Sequence, residues 1–300
     1  MAPTPDRLVD GARAFVSTRF RQIVSGESEP AWVTAMSEGD DAGYFGPGSA
    51  AWAVHGSLPT LVGGVRALLM QTLHPGALAG VVEHSAFETD ALGRLARTTQ
   101  WLTVTTFGDT ASADRECARV RGIHRRVKGD YIDSAGDSVP YTATDPDLLR
   151  WVHLAFTDSF LSTHQVWGGP IPGGPDAYVR EWAKAGELVG VDGPPRSVAE
   201  LTEQLESYRP ILRSDQTTAN TVRFIRDAPL PTASRPAYAL LFAGAVSTLD
   251  SRDRALLGLP VVPRVVAKPA VGSLLGGLRL ALGNQPPSQR RATQRVERLA

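Results

Sequence analysis

The sequence predicts an all-α protein built as a single multi-helix domain. Three observations carry that prediction. Apolar side chains recur at helical spacing over long windows, as in Leu61, Val65, Leu68, Leu69 and Leu73, or Leu149, His153, Phe156 and Phe160. Each set lies on one face of a helix. Thr144-Asp145-Pro146-Asp147 supplies a capping residue, an early proline and acids in the first turn of the second window. Neither an internal repeat nor an alternating strand pattern competes with the helical one.

Taken in order, residues 6–37 predict one or two helices. A loop from Ser37 to Ser49 follows, where FGPGS resists both helix and strand. Helical pattern resumes near Ala51 and again from Leu58. It is interrupted at His74-Pro75, because proline disfavours helical geometry in the residue before it. A further helix is expected from about Gly76 to Ala86. Between Arg94 and Gly129 two helices are joined by a short turn, which favours antiparallel packing. The glycine- and proline-rich run from Gly168 to Pro175 is the clearest internal boundary. Helices are expected at 176–189, 197–208, 214–225, 236–247 and 250–257, with Pro229, Pro231 and Pro236 marking a loop. From Asn284 the chain is polar, and RRATQRVERLA reads as a solvated or partner-dependent helix.

Composition bounds the function. Hydrophobic residues make up 42% of 300, enough for a substantial core, and 31 basic residues balance 31 acidic ones. No global basic field exists to attract nucleic acid. The basic runs at His124-Arg125-Arg126-Val127-Lys128 and Arg290-Arg291 read as helix-end or surface charge. A single cysteine, Cys117, excludes an intramolecular disulfide and a thiolate cluster within one chain. The N-terminus lacks a continuous apolar stretch, and the best membrane candidate, Ala270 to Leu282, is short and broken by glycines and Arg279. A soluble, cytoplasmic protein without stable membrane insertion is expected. A homodimer is left open.

The chemistry-bearing residues concentrate in the paired helices. Arg94, Arg97, Thr98 and Trp101 share one face of the first; Cys117, Val120, His124 and Val127 form a narrow apolar seam on the second. Antiparallel packing turns an imidazole toward a guanidinium and a hydroxyl, groups able to hold an iron cofactor and manage bound oxygen. The bland alternatives are that His124 is a packed core histidine, that Arg94 pairs with Asp90, and that Thr98 bonds a backbone carbonyl. Glu83 is a candidate general base, but adjacent Glu83 and His84 point about 100° apart on a helix. His74 reads equally as a helix cap, and His153 as a cofactor neighbour or a core histidine.

Several blocks in fixed order resemble the catalytic domain shared by latex-clearing proteins (rubber oxygenases) and MpaB-type oxygenases. They are GYFGPGSAAWAVHG (43–56), GGVRALLMQTLHPGALAGVVEHSAF (63–87), DALGRLARTTQWLTVTTFG (90–108), the His124 helix and YTATDPDLLRWVHLAFTDS (141–159). EWAKAGELVGV (181–191) matches more weakly. The resemblance implies a globin-like core of packed helices around a haem pocket, within an oxygenase-like catalytic domain over 43–283. Residues 1–42 would be a helical extension and 284–300 a polar tail. It implies haem b bound through His124 as the metal ligand, with Arg94, Arg97, Thr98 and His153 lining the cofactor. Arg94, Thr98 and Glu83 would be catalytic. The implied partners are dioxygen and a lipophilic, alkene-containing small molecule, cleaved oxidatively. Arg97 stands where some rubber oxygenases carry an iron-binding lysine; arginine has no free lone pair, so that closed state is not expected. The expected location departs from secreted rubber oxygenases, which disfavours polymeric rubber as substrate.

Absent motifs narrow the field. No HExxH or ExxH pair supports a zinc protease or di-iron site, and no CxxCH supports covalent haem attachment. GxGxxG, Walker A and GxSxG are also missing. Two other classes stay open: a haem protein with peroxidase or hydroxylase activity, and a cofactor-free helical binding protein for a hydrophobic ligand.

Overall fold

Aspartates start the helices on which the candidate residues sit. The Asp90 carboxylate accepts from the Gly93 amide at 3.1 Å and opens α5 (Ala91–Phe107). Asp109 accepts from Ser112 N at 3.0 Å and opens α6 (Thr110–His124). Asp145, followed by Pro146, opens α7 (Pro146–Trp167), as the sequence predicts. Each carboxylate satisfies an amide that has no partner within its helix and faces the positive end of the helix dipole.

The protein was described from a computed structural model covering residues 30–84, 90–133 and 135–300, with residues 18, 22, 26 and 27 besides. Most of the helix expected over 6–37 lies outside the described residues. The earlier elements are α1 (Ala31–Thr34), α2 (Ala50–His55), α3 (Thr60–Gln71) and α4 (Pro75–His84). After α7 come α8 (Gly174–Val189), α9 (Val198–Ser207), α10 (Gln216–Arg226), α11 (Arg235–Thr248) and α12 (Ser251–Leu256). The last two are α13 (Arg264–Leu282) and α14 (Pro287–Leu299). The fold is all-α, as predicted, with one small addition.

That addition is a hairpin of β1 (Lys128–Ile132) and β2 (Ser138–Thr142), antiparallel with Tyr131 opposite Val139. Its strands have five residues each, and the inward positions are too few to make an alternating signal. The hairpin follows α6 directly and packs on α4.

The core is centred on α3 against α7, where Phe160 lies across Gly63. A Cβ at Gly63 would come within 2.6 Å of the Phe160 ring, so only glycine permits this approach. Trp151, Trp182, Tyr178, Phe107 and Phe160 fill the interior. One side of α3 is covered by α11, which α13 covers in turn.

Two details differ from the reading by sequence. Polar α14 docks on the chain's own N-terminal side: wholly buried Arg295 donates to the carbonyls of Met36, Asp41, Ala42 and Phe107. Its charge is held by four carbonyl dipoles instead of a carboxylate. Also, α13 begins at Arg264 and runs through Pro269, so its 19 residues are long and apolar enough to cross a membrane. The sequence reading began it after the proline. Trp167 Nε1 donates to the Lys268 carbonyl at 3.0 Å and ties α13 to the end of α7 at that point.

Candidate functional site

The register of α5 on α6 is fixed by two side-chain contacts. Gln100 Nε2 donates to Glu116 Oε2 at 3.2 Å, and Thr105 Oγ1 lies 3.6 Å from Cys117 Sγ. Seven residues from Trp101 back to Arg94 are two helical turns, as are the seven from Cys117 on to His124. Antiparallel packing therefore carries Arg94 and His124 to the same end of the pair, the end bounded by α4 and the hairpin. Trp101, two turns further along α5, turns its ring to Phe156 and Trp182 at 5.9 and 6.0 Å between centroids.

His124 occupies the last turn of α6. Its Nδ1 is buried with no hydrogen-bond partner among the described residues, and burial lowers its pKa. The imidazole is neutral near pH 7, with a nitrogen lone pair available to a metal. Arg94 is also withdrawn from water. Burial, then the nearby Arg97 charge, pushes its pKa down to about 10, so it stays cationic at neutral pH. Arg94 lines a gap of about 10 Å³ with Leu68, Gln71, Leu78, Val81 and Ile225. Such a gap admits about one water.

The other candidates divide. Thr98 Oγ1 donates to the Arg94 carbonyl at 3.1 Å, one turn back in its own helix. Its proton is thereby engaged, leaving it to accept. Arg97 pairs with Asp90 at 3.0 Å, with both partners about half exposed. Glu83 accepts from Tyr141 Oη at 2.9 Å over the hairpin, and His84 Nε2 meets the Lys128 carbonyl at 2.9 Å. These two belong to the α4–hairpin contact. His153 lies on Gly186 of α8, and its described hydrogen-bond neighbour is Thr157 Oγ1 at 3.5 Å from Nε2. Burial holds it neutral, with a pKa of about 4. His74 Nδ1 accepts from Ala77 N at 3.4 Å and caps α4.

Two features escaped the sequence reading. Gln71 Nε2 is buried beside the Arg94 gap without a partner among the described residues. On the opposite side of α3, a cavity of about 250 Å³ is lined by Arg66, Asp158, Arg209, Asp253, Trp151 and Arg264, among others. Arg66 pairs with Asp158 at 2.6 Å, and the Trp151 Nε1 there has no partner among the described residues. The signal for the first member was available: Arg66 is a lone charge inside an otherwise apolar helix. Its partner stands 92 residues away, which no local pattern reveals.

Comparison with known proteins gives one match. A family model described as ER-bound oxygenase mpaB/B'/Rubber oxygenase, catalytic domain, matches residues 52–280, well over half of the chain. No curated protein and no solved structure matches.

Proposed function

The chain belongs to the MpaB/rubber oxygenase catalytic-domain family, and from that premise we propose a haem-dependent oxygenase acting on a lipophilic, alkene-containing small molecule. The observation that carries this reading is His124: neutral, with a buried unpartnered nitrogen, at the same end of the helix pair as a desolvated arginine. That donor set fits an iron porphyrin, which combines a metal seeking imidazole with propionates seeking a guanidinium. Bound there, haem b would supply dioxygen activation for oxidation of the substrate double bond.

The chain's own residues have separable tasks. His124 would hold the metal through a neutral ring. Arg94, cationic and desolvated, would hold a propionate, where low dielectric strengthens its pull. Thr98 is a positioning residue in the described state, because its hydroxyl fixes the turn that carries Arg94. Glu83, oriented by Tyr141, handles protons on the hairpin side. Leu68, Leu78, Val81 and Ile225 exclude water around Arg94. A gap for one water does not hold a macrocycle edge, so contact with Arg94 requires α4 and α5 to part as haem enters.

The small gap is the one observation favouring a cofactor-free helical binding protein, and the same experiment separates the readings. The visible spectrum is recorded after haem titration, for wild type and His124→Ala. A Soret band that is lost or shifted in the variant supports the proposal, and oxygen uptake with lipophilic alkenes then tests the reaction. A protein that stays colourless under titration sinks it.

A further inference from the structure

The outer face of α13 has no partner among the described residues. Its inner residues Ala267, Val271 and Leu275 are buried against α11 and α7. The opposite side presents Val265 at 83% exposure, Val266 at 62% and Leu280 at 75%, with Val261 at 70% just before the helix. Between these lie Pro269, Ser273, Gly276 and Gly277; a methyl added at either glycine would meet nothing within 4 Å. At 100° per residue these positions make one continuous stripe. Three aliphatic side chains at that exposure on one strip of surface, with Val261 just before it in the chain, exceed the scattered apolar residues that a soluble surface carries.

Charge says what covers the stripe. Lys268 and Arg279 lie along one of its edges and make no ion pair among the described residues. From Ala255 to Val296 the sequence contains no aspartate or glutamate, and neither does the stretch from Ala228 to Leu249 that includes α11. In a chain of zero net charge, this layer is selectively cleared of acid. Two-fold self-association through α13 would oppose lysine and arginine with their own copies, without a carboxylate to relieve them. An anionic, partly apolar surface satisfies both features: the stripe enters the acyl boundary while long cationic stems reach phosphates at its edge.

We infer that α13 is a membrane-surface docking helix, which seats this face of the protein on an anionic bilayer without crossing it. Its buried inner face remains packed on α11, so the helix lies along the surface. Such seating would bring the domain to where lipophilic molecules concentrate.

The test is flotation of the full chain with phosphatidylcholine–phosphatidylglycerol vesicles, with pure phosphatidylcholine vesicles alongside. The protein is expected to float with the anionic vesicles, and less so in high salt. Val265→Asp with Val266→Asp should reduce binding by about tenfold or more. Lys268→Gln should reduce it about fivefold. All three positions are exposed, so unchanged circular dichroism and melting would show that the variants fold. Absence of flotation from both vesicle types overturns the inference, as does flotation that the double substitution leaves intact. A concentration-dependent dimer abolished by the double substitution, without vesicle binding, assigns the face to a second copy and also overturns it. Vesicle binding is measured without turnover or haem, so failure here is distinct from failure of the oxygenase reading.

Discussion

Acid should unfold this protein through its histidines before its carboxylates contribute. Burial lowers the pKa of His55 to about 3 and those of His74 and His153 to about 4. Each is a neutral ring in a packed contact: His55 against Trp182 at 4.2 Å, His74 capping α4, His153 on Gly186. In the unfolded chain each protonates near pH ~6.5. Below that pH the unfolded state binds more protons, so stability falls as pH falls, down to the folded-state values. Between pH ~8 and pH ~5 each ring removes about 2 kcal/mol, and the three together about 6. That is a large share of the roughly 5–15 kcal/mol that a domain has.

Carboxylates do not mimic this loss. Asp41 and Asp227 have lowered pKa values, and their contributions disappear only below the ordinary carboxylate range. Asp253, raised by burial, works in the opposite direction. Urea unfolding followed by tryptophan fluorescence at pH 8, 6.5 and 5 measures the effect. His55→Phe keeps the ring contacts and should cut the acid loss by about 2 kcal/mol. A urea midpoint unchanged from pH 8 to pH 5 would refute neutral burial of these rings.

Further substitutions test the helices around the site. Asp90→Ala removes the cap of α5 and the partner of Arg97, and should cost about 1–2 kcal/mol in thermal unfolding. Arg97→Ala loses only the half-exposed pair and should cost less than about 0.5 kcal/mol. Gly186→Ala places a methyl 2.9 Å from the His153 ring and should cost about 1–3 kcal/mol; in a His153→Ala background most of that cost should vanish. Arg295→Met strands four carbonyls and should cost on the order of 4 kcal/mol. Hydrogen exchange should then show the amides of α14 released first.

How much of this was legible in sequence depended on distance along the chain. The start of α7 could be read because a cap, a proline and a first-turn acid are contiguous, and helix formation there is decided locally. The α5–α6 pair could be read for the same reason. Pro269 misled, because the break it tends to cause is offset by packing of the inner face of α13 and by the Trp167 bond to Lys268. Arg295 could not be placed, since its acceptors are backbone carbonyls that no side-chain pattern announces. At the site, the spacing of Arg94, Thr98 and His124 was visible, yet the engagement of Thr98 with its own helix and of Glu83 with Tyr141 depends on rotamers and on a hairpin that left little trace.

The two spaces beside α3 have opposite chemistry, and this decides which of them suits a lipophilic substrate. Arg66 and Met70, four residues apart, face the larger cavity; Leu68, Gln71 and Thr72 face the Arg94 gap. An alkyl chain in the larger cavity would strip water from Arg66, Arg209, Asp158 and Asp253. Those ion pairs would lose solvation with no polar partner in return, a cost of several kcal/mol that burial of a few methylenes does not match. The smaller gap has leucine, valine and isoleucine walls around one cation, with uncharged Gln71, Thr72 and Thr221 as its other polar members. Its chemistry is right and its size is wrong, whereas the larger cavity has the size and the wrong lining. On the proposed reading a lipophile would belong on the Arg94 side of α3, and admitting it would require α4 and α5 to part there.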